Sequence, residues 1–236
     1  LRITTEAYYK SMTDVDPYDI DNVHIQYFGE NDARAYADGI ETRLYTQLVK
    51  DAESWFSLGI GQTKEKIDND FYYTYKNAEG EVISSNSTDQ VVADSVRTNV
   101  GWVRRPSDRL ITMGLFLQDY LSTNKNFKVH LNMIYGSNMS YNIPNSAKYR
   151  NALIIEPYIR VDIGFSALLL SEKSLRRSHS PFRSFENIWA SLEVFNLIDR
   201  ANIISYQLIK DFNNDVFSIP NRLTPRMLNF KLMARF

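Results

Sequence analysis

The 236 residues contain no cysteine, nine glycines, seven prolines and three histidines. Without cysteine there is no disulfide scaffold and no thiolate metal centre. His24, His130 and His179 stand far apart, with no i, i+4 pair and no carboxylate at ligand spacing, which argues against a metal or haem site. No run approaches the roughly 18 apolar residues that a spanning helix requires. Charge of either sign is not in excess: 27 basic and 28 acidic residues give a formal net charge of -1. Nothing global therefore calls for nucleic acid or an acidic membrane surface. Catalytic and cofactor signatures are missing as well. Asp68-Asn69-Asp70 lacks the glycine and distal Glu of a calcium loop, Gly59-Ile60-Gly61 lacks the lysine-serine pair of a phosphate cradle, and no nucleophile elbow surrounds any serine. The chain reads as a non-enzyme with no cofactor.

What the chain does have is alternation. In the final stretch, Thr224 to Phe236, residues Leu228, Phe230, Leu232, Ala234 and Phe236 fall on one side of a period-two ribbon. Met227, Asn229, Lys231, Met233 and Arg235 fall on the other. A helix would mix these sets, so the stretch is a strand with one apolar face and one polar, cationic face. Such a strand suits an outer-membrane barrel, with lipid on one side and a watery lumen on the other. Aromatics reach 13%, with 15 Tyr and 13 Phe, which suits strands and membrane interfaces.

The same pattern recurs along the chain. Strands are expected at Arg2 to Lys10, Val23 to Tyr27, Ala35 to Val49, Phe56 to Ile60, Ile111 to Leu117, Phe127 to Tyr135, Tyr158 to Leu169 and Ile188 to Val194. With the terminal strand these make nine. They make ten if Asn196 to Asn202 is a true turn rather than a bulge leading into Ile203 to Lys210. No helix of ten or more residues is expected. Long polar loops fall near 66–108, 137–156 and 210–222, and short turns near 48–53 and 122–126. Alternating long and short connections are what a meander with two unlike ends produces. The connection at 171–184 is longer than that scheme wants. An odd count cannot close a barrel by itself, and the chain opens directly on a strand without a leader, so a piece of a longer barrel is expected.

Four stretches carry a resemblance: YADGIETRLYTQLVKDAESWFSLGIGQTKE (36–65), PYIRVDIGFSALL (157–169), SLEVFNLIDRANIISY (191–206) and IPNRLTPRMLNFKLMARF (219–236). Together with EAYYK near the start, in this order and spacing, they resemble the C-terminal barrel portion of TonB-dependent outer-membrane receptors, particularly those of Bacteroidetes. The resemblance implies an all-β, antiparallel transmembrane barrel meander, with residues 1–236 giving nine or ten strands of a 22-stranded barrel. The plug domain and TonB box of the family have no counterpart in the sequence. It also implies a place in the bacterial outer membrane and active import of a scarce nutrient, of siderophore, cobalamin, heme, glycan or peptide class. The implied partners are the TonB complex acting through the plug, the remaining strands, membrane lipid and a small nutrient ligand.

Two residue sets are candidates for contact with ligand or plug. Tyr72, Tyr73, Tyr75 and Trp102 lie in or beside the long loop and suit stacking on a sugar, siderophore or tetrapyrrole. They suit a barrel extension or an interface belt as well, and that plainer reading is preferred. Arg160, Asp162, Glu193, Lys231 and Arg235 fall on lumen positions, where they steer a ligand, grip the plug, or simply neutralise one another on a solvated wall; the last is the preferred reading. Two rivals remain. One is a soluble β-sandwich that binds glycans, with its apolar faces packed together. The other is a self-contained ten-stranded outer-membrane hydrolase, whose nearest catalytic pair is Asp119 and His130.

Overall fold

The computed structural model describes residues 1–49, 52–84, 86–121, 124–143, 146–171, 185–212, 216–223 and 225–235. Among these there is no helix, and every strand pairing is antiparallel. The principal sheet runs in the order β1 (Arg2–Val15), β4 (Ala33–Val49), β5 (Ala52–Ile67), β9 (Ile111–Tyr120), β10 (Phe127–Gly136), β13 (Tyr158–Ser171), β14 (Asn187–Phe195) and β17 (Met227–Arg235). A two-residue strand, β8 (Val103–Arg104), adds to one end of β5. Neighbours in sequence are neighbours in space, which makes a meander.

Alternate connections of this meander carry a small hairpin of their own. They are β2 (Tyr18–Asp21) with β3 (His24–Tyr27), β6 (Phe71–Lys76) with β7 (Asp94–Asn99), β11 (Met139–Tyr141) with β12 (Leu153–Ile155), and β15 (Ile203–Lys210) with β16 (Val216–Arg222). All four sit on connections that leave the same end of the sheet. The opposite end has the tight return from β4 to β5 and the short link from β9 to β10. The expectation of two unlike ends therefore holds. Apart from Ser171, the long 171–184 connection lies outside the described residues, as does Phe236.

Three expectations need correction. Val23 to Tyr27 does not join the wall: His24–Tyr27 pairs only with Tyr18–Asp21. A four-residue strand is about 13 Å long, too short for an apolar band of about 25 Å. Ile203 to Lys210 neither continues the preceding strand nor forms a wall strand. Phe195 ends β14 because Asn196 and Asp199 turn the chain with φ of 52° and 54°, and β15 then pairs with β16. Among the described residues the principal sheet thus has eight full-length strands, and the odd count gave no valid argument for a broken barrel. Among the same residues β1 and β17 have no partner on their outer sides, and no closed barrel is formed.

Register explains why the two faces differ so sharply. Directly paired residues share a face, and the ladder aligns Ile3, Leu44, Phe56, Leu115, Met133 and Val161 in one continuous row. The next row on that face runs Leu117, Leu131, Ile163, Val194 and Leu228, and the one after it runs Val129, Phe165, Leu192 and Phe230, with Asp119 at its β9 end. The opposite face carries Arg2, Tyr45, Trp55, Phe116, Asn132 and Asp162 in one row and Gln118, His130, Gly164, Glu193 and Asn229 in the next.

The apolar face has no cover among the described residues: Leu228, Phe230 and Leu232 are 71%, 69% and 62% exposed, and Ile40, Ile60, Phe165 and Leu192 are exposed too. The few buried apolar side chains lie elsewhere, Ala33, Ala35, Ile67, Met139 and Ile155 at the hairpin end and Ala52 and Ile188 at the opposite end.

Glycines on the polar face let large side chains lie flat across neighbouring strands. The Tyr8 hydroxyl reaches over Gly39 and Gly61, Trp55 over Gly114 and His130 over Gly164. At Gly39 a Cβ would stand 2.8 Å from the Ile60 carbonyl oxygen and 2.9 Å from the Gly61 Cα, backbone atoms that cannot move aside. Gly39→Ala is therefore expected to cost about 1–3 kcal/mol from overpacking. The shift of the urea midpoint of the folded, detergent-solubilised protein measures it.

Candidate functional site

Charged and aromatic groups converge on the polar face and the hairpins above it. Of the five wall residues singled out from sequence, three are tied into local networks. Arg160 Nε donates to Asp162 Oδ1 at 2.7 Å, and the same oxygen accepts the Asn196 backbone N–H at 2.8 Å. Asn132 Nδ2 donates to the other Asp162 oxygen at 3.3 Å. Glu193 accepts from Asn229 Nδ2 at 2.8 Å and faces His130 Nε2 at 3.7 Å. Lys231 and Arg235 are exposed on β17. The first three residues are engaged with the wall itself, in keeping with the preferred reading of a mutually neutralising surface. Lys231 and Arg235 stand beside the bare edge.

The aromatic candidates do not form one group. Tyr73 and Tyr75 project from one face of the β6–β7 hairpin, both about half exposed, with ring centroids 6.3 Å apart in a stacked arrangement. Phe71 meets Tyr73 edge-on at 5.6 Å, and the Arg97 guanidinium lies 3.8 Å above the Phe71 ring. Tyr72 alternates to the other face of the hairpin. Trp102 belongs to a different cluster, 5.0 Å from Tyr36, which in turn stacks on Tyr9 at 6.3 Å. Tyr9 and Tyr36 are on the apolar side of the wall, near its hairpin end, so this trio caps the apolar surface as an interface belt would. Trp102 is the one tryptophan of three with that placement, since Trp55 and Trp189 sit on the polar face. In lipid vesicles, a quencher attached near the headgroups is expected to dim Trp102 alone, and Trp102→Phe to remove that quenching.

The hairpins lean over the polar face and hold one another. Asn142 Nδ2 donates to Asp19 Oδ1 at 2.9 Å, Asn221 Nδ2 to Asn22 Oδ1 at 2.6 Å, and Tyr141 stacks on Tyr206 at 5.1 Å. Asn22 and Asn221 belong to the first and last hairpins, which a flat sheet would hold about 30 Å apart at 4.8 Å per strand. Their contact requires the sheet to curl toward its polar side.

Beneath these contacts lies a group that the sequence reading missed. Glu65, on the polar face near the end of β5, is 1% exposed. Its carboxylate faces Arg105 Nε at 3.3 Å and accepts from Asn151 Nδ2 at 3.3 Å. Burial outweighs the pull of Arg105 and Arg150 and pushes the Glu65 carboxyl up to about 7. It lies beyond the apolar band, because the outward neighbours Gln62 and Lys64 are already polar. The sequence carried no cue: from Gln62 to Lys66 both faces of the ribbon are polar, and the strand was expected to end at Ile60.

Among the described residues no group of His, Cys, Asp or Glu side chains is arranged to hold a metal ion. Asp119 and His130, the pair required by the hydrolase rival, are on opposite faces of the sheet: Asp119 pairs with Val129, and His130 with Gln118. Set against protein-family models, curated proteins and solved structures, the chain matches none of them.

Proposed function

We propose that residues 1–236 supply wall and outer mouth of a TonB-dependent receptor barrel in a bacterial outer membrane, importing a scarce nutrient of siderophore, cobalamin, heme, glycan or peptide class. One observation carries this reading: a sheet-wide apolar face with nothing against it among the described residues, backed by a face on which polar and charged groups predominate. Each large side chain left half exposed in water forgoes about 1 kcal/mol. A row of them rivals the 5–15 kcal/mol by which a domain is stable at all. Hydrocarbon removes that cost. The Tyr9–Tyr36–Trp102 trio at the rim of the apolar face supports the same placement.

In this reading the β1 and β17 edges pair with the remaining strands of the barrel, since an unpaired edge in lipid leaves backbone groups unsatisfied. The plug and its TonB contact come from outside residues 1–236, and this portion is a conduit rather than an enzyme. The polar wall lines the lumen. The exposed Tyr73–Tyr75 pair on the β6–β7 hairpin is the first surface a ligand meets. Neither rival gains a specific observation: no second sheet covers Leu228, Phe230 and Leu232 among the described residues, and the hydrolase pair is split between faces.

The test is membrane fractionation of cells producing the full-length protein. Retention in the outer membrane through a carbonate wash, with a heat-dependent shift in gel mobility and ligand uptake that stops when TonB is depleted, is expected. A water-soluble monomer would overturn the reading. Replacing Tyr73 and Tyr75 together by alanine is expected to weaken ligand binding at the mouth about 5- to 100-fold, on the scale of 1–3 kcal/mol lost when an aromatic stacking surface is removed. Equilibrium binding of the identified nutrient measures it.

A further inference from the structure

We propose that Glu65 is a proton-operated clasp, holding the first three hairpin connections together over the polar face in acid and loosening them as the surroundings approach neutrality. The inference goes beyond the transport reading and stands on the hairpin contacts together with the burial of Glu65.

Three chain segments distant in sequence meet at this one carboxyl. From the first connection come Tyr18, whose hydroxyl donates to the Pro106 carbonyl at 2.9 Å, and Asp19, which holds Asn142. From the second comes Arg105, which faces Glu65, lies 5.0 Å over the Tyr18 ring and donates to the Asp16 carbonyl at 3.3 Å. From the third come Asn151, bonded to Glu65, and Arg150, which donates through Nε to Asp70 at 2.6 Å. The ionisable groups around Glu65 are therefore Arg105, Arg150, Asp19, Asp70 and Tyr18. Removing the carboxyl or changing its charge touches every one of the three connections.

The packing around it is incomplete in one particular way. Among the described residues, the buried side-chain atoms left without a hydrogen bond include Glu65 Oε2, Arg105 Nε, Asn142 Oδ1 and Asn151 Oδ1. Three of these belong to Glu65 and the two side chains against it, and the fourth to the partner of Asp19. Glu65 Oε2 and Arg105 Nε face each other at 3.3 Å as an ion pair that is out of line for a hydrogen bond. The pair therefore offsets only part of the cost of burying the carboxylate, and burial favours the neutral acid.

The direction of the pH dependence follows. In the closed cap the Glu65 carboxyl titrates near 7, against 4.5 when exposed. The closed cap thus holds the proton more tightly than the open one. Its contribution to closure is complete below about pH 4.5 and lost as the pH rises through about 7. One extra proton held by the closed state changes the opening equilibrium about tenfold per pH unit within that window.

Hydrogen exchange of the full-length protein in detergent tests this, read at pH 5 and pH 8 and corrected for the intrinsic exchange rate. Opening of the peptides covering 18–27 and 139–155 is expected to rise about a hundredfold, with the wall peptide 127–136 unchanged. Glu65→Gln is expected to flatten the profile, and His24→Gln, which alters the one histidine of the first connection, to leave it intact. A flat wild-type profile overturns the clasp even if Glu65→Gln fails to assemble. So does a hundredfold rise that survives Glu65→Gln or disappears in His24→Gln. None of these outcomes bears on whether the barrel resides in a membrane.

Discussion

Phe165→Arg is expected to destabilise the assembled protein by about 2–4 kcal/mol, the range for a cationic side chain on the lipid face near mid-bilayer. Phe165 is half exposed on the apolar face of β13, with Val129 and Leu192 paired to it on either side. An arginine there finds no counter-charge on either adjacent strand, the nearest in its row being Asp119 two strands away, and must reach for it or for a distant headgroup. One residue further along, Ser166→Arg places the same charge on the polar face, where the Ser166 hydroxyl meets that of Ser191 at 2.8 Å. That variant is expected to cost about 1 kcal/mol at most, chiefly from Lys128 directly opposite. The folded fraction recovered in outer-membrane preparations, together with urea unfolding in lipid vesicles, separates the two. Equal losses would contradict the assignment of faces.

Asp162→Ala is expected to cost about 2–3 kcal/mol. The Asp162 side chain is nearly buried, whereas that of Arg160 is one-third exposed, so the loss falls short of the 3–5 kcal/mol seen when one partner of a fully buried pair is removed. The carboxylate does three jobs at once: it neutralises Arg160, accepts from Asn132, and anchors the Asn196 N–H where the chain turns out of β14 with φ of 52°. Truncation leaves all three donors seeking water. Asp162→Asn, which keeps the shape and one acceptor, is expected to recover about half of the loss. Urea unfolding checks both. A greater loss in Asp162→Asn than in Asp162→Ala would mean that the carboxylate charge, rather than its hydrogen bonds, is the stabilising feature.

The wall was legible because alternation is local. Leu228, Phe230 and Leu232 against Asn229 and Lys231 announce a two-faced ribbon without any knowledge of its neighbours. Alternation does not say where a ribbon pairs, and Val23 to Tyr27 was placed in the wall for that reason; its length alone excludes it. The hairpin inside 66–108 was hidden because Phe71 to Lys76 pairs with Asp94 to Asn99 across polar sequence with no strong apolar face. The wall charges were assigned to the correct face by parity, and the Arg160–Asp162 pair follows from their i, i+2 spacing. The His130–Glu193 contact depends on register across β13 and could not be read in advance. Glu65 is the extreme case. Its partners Arg105 and Asn151 lie 40 and 86 positions away (105 − 65 and 151 − 65), and only the meeting of three connections turns an ordinary surface glutamate into a buried one.

Residues 1–236 have no cysteine, and once any cysteine outside them is replaced, single cysteines carrying a spin label can be placed at 164 to 168 along β13 in the vesicle-embedded, full-length protein. Relaxation by oxygen, which concentrates in hydrocarbon, and by a water-soluble nickel chelate then reports what each side chain touches. The account predicts a period of two, with 165 and 167 relaxed by oxygen and 164, 166 and 168 by nickel. Labels at 165 and 167 that respond to nickel as strongly as their neighbours, or to neither agent, would contradict it.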